Sequence, residues 1–332
     1  MQLQTEAAVR GTDEDASVSR LSAVSLGYYD DPFASMFLKP SQASRRPPLI
    51  NIGTTLRTRA IDQLVGKFLD LPRVRGKGAQ VVSLGAGSDT RFFRLANNLI
   101  RADQTGQAST VLPTWVEIDF VESTTRKAMT VWKRRNDLLA SDAGSASITH
   151  GGSGLASTHY CLLPGDLRQW TATVTSKLSM LDTSAPTLIL AECALVYLDA
   201  ACTRELMQWF NKTFETLHAA IYDPLNLQDA FSRVMLSNLS ARGIAMPGLA
   251  EHSDPGLLRR QLLGHGFTRS DAISLKTYRK KHLDHGEMIR LSQVERLDEI
   301  EELDLLLDHY AVAWASKAAT GESLSWSSPD RD

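Results

Sequence analysis

The sequence has few cysteines and no long hydrophobic segment, which excludes several classes of protein. Its 332 residues include an odd, sparse set of cysteines without metal-ligand spacing, namely Cys161, Cys193 and Cys202. We therefore expect free thiols in a reducing, intracellular compartment and no metal site. The longest apolar run, 188–197, is interrupted by Glu192 and is too short to span a bilayer. The first twenty residues are polar and acidic and contain no signal-peptide core.

An excess of charge of one sign is also absent. Lysine and arginine total 36 and aspartate and glutamate total 38, which gives a formal net charge of −2. The whole-chain charge therefore shows no bias toward nucleic acid or an anionic membrane surface. We expect a soluble cytoplasmic protein that acts as a monomer, with neither nucleic acid nor a membrane among its partners.

The glycine-rich segment 81–90 is the most informative stretch of the chain, and it lacks the third small residue of the dinucleotide-binding fingerprint. An apolar, β-rich run ends at Gly85 and Gly87, and apolar residues then recur at helical spacing. This pattern predicts a strand, a tight turn and a helix, as at the start of a nucleotide-binding α/β sheet. The dinucleotide fingerprint requires a small residue where Thr90 stands, so an NAD(P) oxidoreductase is disfavoured. S-adenosylmethionine has no phosphate and needs only the shorter turn; a glycine turn without any ligand is the alternative.

Acidic residues follow the next two predicted strands. Asp119 ends a strand at 115–119, where an acid can accept hydrogen bonds from ribose hydroxyls. Its alternative role is to cap a helix that begins near Val121. Asp166 and Leu167 follow a short third strand and suit the exocyclic amine and the ring of adenine, although Asp166 can also cap the next helix.

A further acid, Glu192, stands at the end of the most apolar predicted strand, 186–191. Such a run is typical of a central strand that is buried on both faces. Ligands of open α/β sheets bind outside the carboxyl ends of the strands, so Glu192 is a candidate ligand contact, with a structural ion pair as the alternative. Tyr197 follows five residues later and is either an aromatic at the rim of the core or a hydroxyl donor to a substrate.

One arginine falls on the apolar face of the helix that we predict at about 54–69. Arg57 lies four residues before Ile61, in line with the apolar stripe, whereas Arg59 falls on the opposite, polar face. An unpaired buried charge is very costly, so Arg57 must find an anionic partner. That partner is either an internal acid or a carboxylate ligand in the cleft. We expect Arg59 to be a solvated charge.

The predicted elements follow the order βαβαβαβαβ, then a late helix and a terminal strand. This order predicts an α/β fold with a mainly parallel sheet, helices on both faces, and a last strand added in antiparallel fashion. We expect residues 1–14 to be disordered and 15–332 to form a single domain. Within it, 15–70 would form a helical cap over the carboxyl ends of the strands and 79–317 the core. The Gly- and Ser-rich segment 141–158 would be a flexible loop.

Together these segments resemble one family, the leucine carboxyl methyltransferases, which use S-adenosylmethionine to methylate the C-terminus of the protein phosphatase 2A catalytic subunit. The resemblance runs from about residue 13 to 317 and rests on DEDAS at 13–17, AVSLGY at 23–28, Ile50 and Asn51 followed by Arg57, LGAGSDT at 84–90, VEIDF at 116–120, GDLR at 165–168, LAECALVY at 190–197, and His309 through Lys317. It implies a Rossmann-like class I methyltransferase fold, with a mostly parallel seven-stranded sheet and an N-terminal helical cap.

The resemblance also implies which residues form the site. Arg57 matches an arginine that holds the carboxylate of the cofactor, and Tyr197 matches a tyrosine near the substrate carboxylate; these two would be the catalytic residues. The other cofactor-binding positions are the glycine turn, the ribose acid, the adenine contacts and one further acid, namely Gly85, Gly87, Asp119, Asp166, Leu167 and Glu192. Arg20 stands where the family often has a lysine that contacts the cofactor, and the two side chains differ in shape and donors.

The implied reaction is methyl transfer from S-adenosylmethionine to the α-carboxylate of the C-terminal leucine of the phosphatase catalytic subunit. Its products are a methyl ester and S-adenosylhomocysteine, and it needs no metal. The alternatives are a related methyltransferase that acts on another carboxylate or on a modified tRNA base, and a non-catalytic homologue that only binds the phosphatase. The relatives that act on tRNA carry a long additional repeat domain, and this sequence has no internal repeats.

Overall fold

A computed structural model describes residues 2–74, 78–104, 111–318 and 322–326. The strands are β1 (Gln80–Leu84), β2 (Thr114–Asp119), β3 (Ser147–Thr149), β4 (Gly154–Ala156), β5 (Tyr160–Pro164), β6 (Thr187–Glu192), β7 (Leu217–Pro224), β8 (Arg269–Ser274) and β9 (Tyr310–Lys317). The α-helices are α1 (Gln2–Ser25), α2 (Pro48–Leu69), α3 (Arg91–Gln104), α4 (Val121–Lys133), α5 (Arg135–Leu138), α6 (Ala200–Thr213), α7 (Ala230–Ala241), α8 (Pro255–Gly264), α9 (Leu275–Lys281), α10 (His285–Val294) and α11 (Ile300–Asp308). None of the described helices is long and apolar enough to span a bilayer.

The strands form one nine-stranded sheet in the order β3-β4-β5-β2-β1-β6-β7-β9-β8. Strands β5, β2, β1, β6 and β7 run parallel to their neighbours, and β9 lies antiparallel between β7 and β8. The prediction of a mainly parallel sheet with an antiparallel last strand is therefore confirmed. The chain order reverses at β1, because β2 and β5 lie on one side of it and β6 and β7 on the other. Open α/β sheets bind their ligands at such a switch point.

The expected number of seven strands is too low, because the sheet gains a hairpin at one edge. Strands β3 and β4 lie within 141–158, the segment that we expected to be a flexible loop, and β4 pairs with β5. Gly154 allows this pairing, since a Cβ at that position would come within 2.8 Å of the carbonyl oxygen of Leu162. Leu155 is fully buried and anchors the hairpin. The Gly- and Ser-rich composition of this segment is typical of loops, but here it allows the backbones of β4 and β5 to pack closely.

Each face of the sheet carries its own hydrophobic core, because side chains alternate along each strand. In β1, Val81 belongs to the core that includes residues of α2 and α3, and Val82 to the core that includes residues of α6 and α8. In β6, Leu188 and Leu190 belong to the first core and Ile189 to the second. The apolar character of β6 thus reflects a central strand that is buried on both faces, as predicted.

The first helix differs most from the expectation. We expected disorder over 1–14, but residues 2–14 belong to α1 (residue 1 lies outside the described residues). Tertiary contacts hold this part of the helix. Arg10 forms an ion pair of 2.9 Å with Glu122 of α4, and Asp13 accepts hydrogen bonds from the backbone N–H and the hydroxyl of Ser88. Such long-range contacts are not visible in local composition.

Helix α2 begins earlier than predicted and links the site to the core. We expected the helix to begin at about residue 54, but it begins at Pro48, which occupies the first helical turn, where its missing N–H costs no hydrogen bond. The first half of α2 carries Arg57, and its second half carries Leu64 and Phe68, both fully buried in the first core. The helix is therefore partly a core element as well as part of a cap.

A buried ion pair joins β2 to α4. Glu117 and Lys127 approach to 2.5 Å, with their side chains 0% and 2% exposed. Lys127 also donates to the carbonyl oxygen of Asp89 at 2.7 Å, and the hydroxyl of Tyr160 donates to Glu117 at 2.6 Å. Burial outweighs the attraction of Lys127 and raises the pKa of Glu117. The carboxylate therefore depends on its partners to remain charged.

We expect Lys127→Met to lower the free energy of unfolding by about 3–5 kcal/mol, because it leaves a buried carboxylate without its cation. The loss should shrink toward acidic pH, where Glu117 can bind a proton. Chemical denaturation monitored by circular dichroism measures both effects. Lys133→Met changes an exposed residue of the same helix and is the matched control. Equal effects of the two substitutions would contradict this role for the ion pair.

Candidate active site

A cavity of about 960 Å³ lies at the carboxyl ends of the parallel strands, at the switch point of the sheet. It is lined by residues from α1, α2, the strand ends, α7 and the loops between them. All of the predicted site residues line it, namely Arg20, Arg57, Gly85, Gly87, Asp119, Asp166, Leu167, Glu192 and Tyr197. The structure thus brings together residues that are up to 177 positions apart in the sequence, from Arg20 to Tyr197.

The glycine turn forms the floor of the cavity between β1 and α3. Gly85 and Gly87 have φ values of 63° and 47°, a region that favours glycine. A Cβ at Gly85 would lie 2.7 Å from the Cβ of Ala194, and one at Gly87 would overlap the carboxylate of Asp13. Both positions therefore require glycine for conformation and for space. The turn allows α1 to approach the backbone closely.

Asp119 ends β2 and faces the same turn. Its carboxylate accepts hydrogen bonds from the backbone N–H of Gly87 at 2.7 Å and of Phe120 at 2.6 Å. It does not cap α4, whose N-cap is Phe120 and has no side-chain cap. Burial and, to a lesser extent, the nearby Asp13 raise the pKa of Asp119 to about 6, against the two backbone donors. The carboxyl is therefore mostly ionised at neutral pH and binds a proton as the pH falls below about 6.

Arg57 and Glu192, both predicted to contact a ligand, are ion-paired with each other. The guanidinium of Arg57 donates from Nε to Oε1 of Glu192, and it also lies over the ring of Tyr222, 5.2 Å from the centroid. Burial disfavours the charged form of Arg57, but Glu192, Cys193 and Tyr222 together outweigh burial and raise the pKa of the guanidinium above its usual value. Because the side chains remain 25% and 15% exposed, the pair is also accessible from the cavity.

Sequence reasoning missed Arg91, which holds Glu192 from the other side. The Arg91 side chain is only 5% exposed and pairs with Asp62 at 2.6 Å, Asp89 at 2.5 Å and Glu192 at 3.1 Å. Burial raises the pKa of Glu192, but Arg57 and Arg91 together keep it below its usual range. The only sequence signal for Arg91 is a charged residue directly after the glycine turn, and that signal does not reveal its three acidic partners.

Asp166 caps a short 3-10 helix, Leu167–Gln169, as the alternative reading predicted. It accepts from the backbone N–H of Arg168 at 3.0 Å, and the Arg168 side chain donates to it at 2.6 Å. Leu167 is buried beside it and supplies an apolar surface at the cavity. The cap orients the carboxylate and leaves it at the cavity wall, so capping and ligand contact are compatible.

Helix α1 forms the roof of the cavity over the glycine turn. Arg20 donates to the carbonyl oxygen of Ser88 at 2.7 Å, and the Ser17 hydroxyl lies beside the Ser88 hydroxyl. Asp13 accepts from the Ser88 N–H at 2.8 Å. Tyr197, in a 3-10 helix at Leu195–Tyr197, is within hydrogen-bonding reach of Thr12, and burial raises the pKa of its phenol. These contacts place the roof directly above the strand ends.

The prediction for Arg59 is wrong. Its side chain is 35% exposed rather than solvated, and it forms an ion pair of 2.6 Å with Glu287 of α10. The face of α2 that we expected to be polar packs against other helices, and Asp62 on that face pairs with Arg91 and Arg94. The single-helix pattern could not show these neighbours. Arg59 does not belong to the residues that line the cavity.

The strand order, the glycine turn and the acids at the strand ends define a class I methyltransferase fold. The structure of a duf574 family protein from Streptomyces avermitilis superposes with a TM-score of 0.50 at 14% identity, covering 91% of this chain and 97% of that chain. At that identity the likeness concerns the fold alone. Among the described residues, no cluster of side chains is suited to hold a metal ion.

The chain belongs to the leucine carboxyl methyltransferase family, whose family model matches residues 8–211. A protein named leucine carboxyl methyltransferase 1 from Cryptococcus neoformans is 38% identical, and the match covers 96% of this chain and 95% of that protein. A protein of the same name from Bos taurus is 33% identical, with 94% and 90% covered. The family resemblance read from the sequence is confirmed.

We expect Arg57→Ala to weaken binding of S-adenosylhomocysteine by about 2–4 kcal/mol, because it removes the guanidinium expected to pair with the carboxylate of the ligand. Isothermal titration calorimetry measures the affinity. Arg59→Ala, two positions away, is the matched control: it should leave the affinity unchanged and lower the stability by no more than about 1 kcal/mol. Unchanged affinity in the Arg57 variant would rule out a ligand contact for that guanidinium.

Proposed function

We propose that this chain transfers the methyl group of S-adenosylmethionine to the α-carboxylate of a C-terminal leucine, that of the protein phosphatase 2A catalytic subunit. The observation that carries the proposal is the convergence of all the predicted cofactor and substrate residues on one cavity. Family membership supports carboxyl methylation, and the residues matching the family motif support the acceptor. The product is a methyl ester, so the acceptor loses its terminal negative charge.

The residues of the cavity fit this cofactor. Asp119 offers a carboxylate to the ribose hydroxyls, and Asp166 with Leu167 offers an acceptor and an apolar surface to adenine. Gly85 and Gly87 place no side chain between β1 and a ligand. Arg57 would hold the carboxylate of the methionine part, exchanging or sharing its contact with Glu192. When bound, the cofactor would supply an electrophilic methyl group on a sulfonium.

The reaction requires correct positioning of the acceptor carboxylate and does not require a general base. A C-terminal carboxylate has a pKa of about 3.3–3.7, so it is ionised and nucleophilic at neutral pH. The chain must hold one carboxylate oxygen in line with the methyl group, at roughly 3–3.5 Å, and exclude water. Tyr197 and Arg57 line the cavity where they can orient two carboxylates, and residues of α1 line the same cavity. We propose the cytoplasm as the compartment, because all three cysteines are free thiols.

The reaction is tested by incubating the chain with methyl-labelled S-adenosylmethionine and the phosphatase catalytic subunit, either intact or lacking its final leucine. We expect base-labile label on the intact subunit only, since a methyl ester hydrolyses in base. Label on tRNA, label on the shortened subunit, or no label on any acceptor would refute the proposal.

Binding of S-adenosylhomocysteine should strengthen as the pH rises from about 5 to about 7 and then level off. Burial raises the pKa of Asp119 to about 6 in the free protein. Ribose hydroxyls donate to the ionised carboxylate, so the complex favours the form that has lost its proton. Calorimetry across this range measures the slope. Asp119→Asn should bind more weakly and lose the slope; an unchanged slope in that variant would assign the titration to another group.

A further inference from the structure

One wall of the cavity contains none of the residues assigned above to the proposed cofactor. It is formed by α7, whose apolar residues Phe231, Val234, Met235 and Leu239 line the cavity together with one polar residue, Asn238. These residues recur every three or four positions, so they lie on one side of the helix. The cofactor side of the same cavity presents glycines and carboxylates instead. The α7 wall is therefore the apolar half of the site.

The apolar side of α7 does not pack in the interior of the protein. In this helix Ser232 alone is buried, and none of its residues belongs to either hydrophobic core. Val234 is 59% exposed. Amphipathic helices ordinarily bury their apolar stripe against the core. Here the stripe faces the cavity, which suits a site whose occupant supplies the missing apolar surface.

The α7 wall continues to the residue expected to face the acceptor carboxylate. The chain after α7 passes Ile244 and Met246, which also line the cavity. It then packs on the 3-10 helix that ends at Tyr197: a Cβ at Gly248 would lie 2.9 Å from the carbonyl oxygens of both Leu195 and Leu198. The apolar wall and Tyr197 are thus adjacent parts of one surface.

The size of the cavity agrees with two occupants. A volume of about 960 Å³ lies near the upper end of the range of roughly 300–1,000 Å³ for small-molecule sites. The acceptor must occupy the same cavity as the cofactor, because its carboxylate has to reach the methyl group in line. The space along α7 is therefore the continuation of the cofactor site that an acceptor would enter.

We propose that the α7 wall, formed by Phe231, Val234, Met235 and Leu239, binds the side chain of the C-terminal residue of the acceptor and selects a branched aliphatic one. The inference rests on the proposed function and adds to it the surface that determines the acceptor. An aliphatic side chain gains about 0.8 kcal/mol per buried CH₂ on this surface, whereas a polar or charged one loses its hydration there. Arg242, at the end of α7, is ion-paired with Asp15 of the roof, so it does not offer a free charge to that side chain.

The test compares two leucines of the same helix. Leu239 lines the cavity and Leu236 does not, so Leu239→Ala and Leu236→Ala are a matched pair. The full chain is assayed with the phosphatase catalytic subunit ending in leucine, alanine or phenylalanine. We expect Leu239→Ala to raise KM for the leucine-terminated acceptor on the order of tenfold and to reduce its preference over the alanine-terminated one. Leu236→Ala should retain both values.

Two further measurements keep the outcomes distinct. Affinity for S-adenosylhomocysteine should be unchanged in both variants, and circular dichroism should show that both are folded. Met235→Ala should widen the wall and improve the relative rate with the phenylalanine-terminated acceptor. Unchanged acceptor preference in the Leu239 variant, or an equal KM increase in the Leu236 variant, would overturn the inference.

Failure of the proposed function has a separate signature. If the wild-type chain transfers no methyl group to the phosphatase, binding of the three acceptors to the chain saturated with S-adenosylhomocysteine is measured directly. Binding that requires the terminal leucine and is weakened only by Leu239→Ala would support the α7 wall without the reaction. Binding that is indifferent to the terminal residue would overturn the inference as well.

Discussion

The site depends on one buried ionic network that links three elements of the fold. Glu192 at the end of β6 lies between Arg57 of α2 and Arg91 of α3, and Arg91 also pairs with Asp62 of α2. Buried charges are tolerated only when they are paired, so each member needs the others in place. The network therefore fixes the long helix α2 against the strand ends, which puts an accessible guanidinium at the cavity. A displacement of Glu192 at the end of β6 would therefore also disturb the ion pairs of α2 and α3.

The contacts that attach α1 above the glycine turn are polar. Asp13 and Arg20 of α1 bind the backbone and hydroxyl of Ser88, directly above the glycine turn. Gly87 makes this possible, because any Cβ there would collide with Asp13. Over the glycine turn the roof is thus attached by hydrogen bonds, whereas Ala23 near the end of α1 belongs to the first hydrophobic core. Helix α7, whose C-cap Arg242 pairs with Asp15 of α1, presents an apolar surface to the same cavity, so the cavity has a polar part and an apolar part.

Much of the fold and the candidate site could be predicted because their signals are local. A strand, a glycine turn and a helix have a recognisable pattern, and acids at the ends of parallel strands meet at one edge of a sheet because of the topology. What failed depended on neighbours distant in sequence. Arg59 faces Glu287 of α10, and the hairpin around Gly154 forms only because β5 is available to pair with it. Neither partner can be inferred from the pattern of a single segment.

The sequence by itself determined the class of fold, the family and nine of the residues that line the cavity, since glycine spacing and strand-end acids are properties of short segments. Only the tertiary structure decided how those residues are paired. Whether Arg57 meets an internal acid or stands free, whether residues 2–14 are ordered, and whether α7 packs in the core or on the cavity are all settled by contacts between elements. The physical reason is that a buried charge needs an opposite charge and an apolar face needs an apolar neighbour. The sequence shows that such a partner is required, but only the folded chain shows which residue it is.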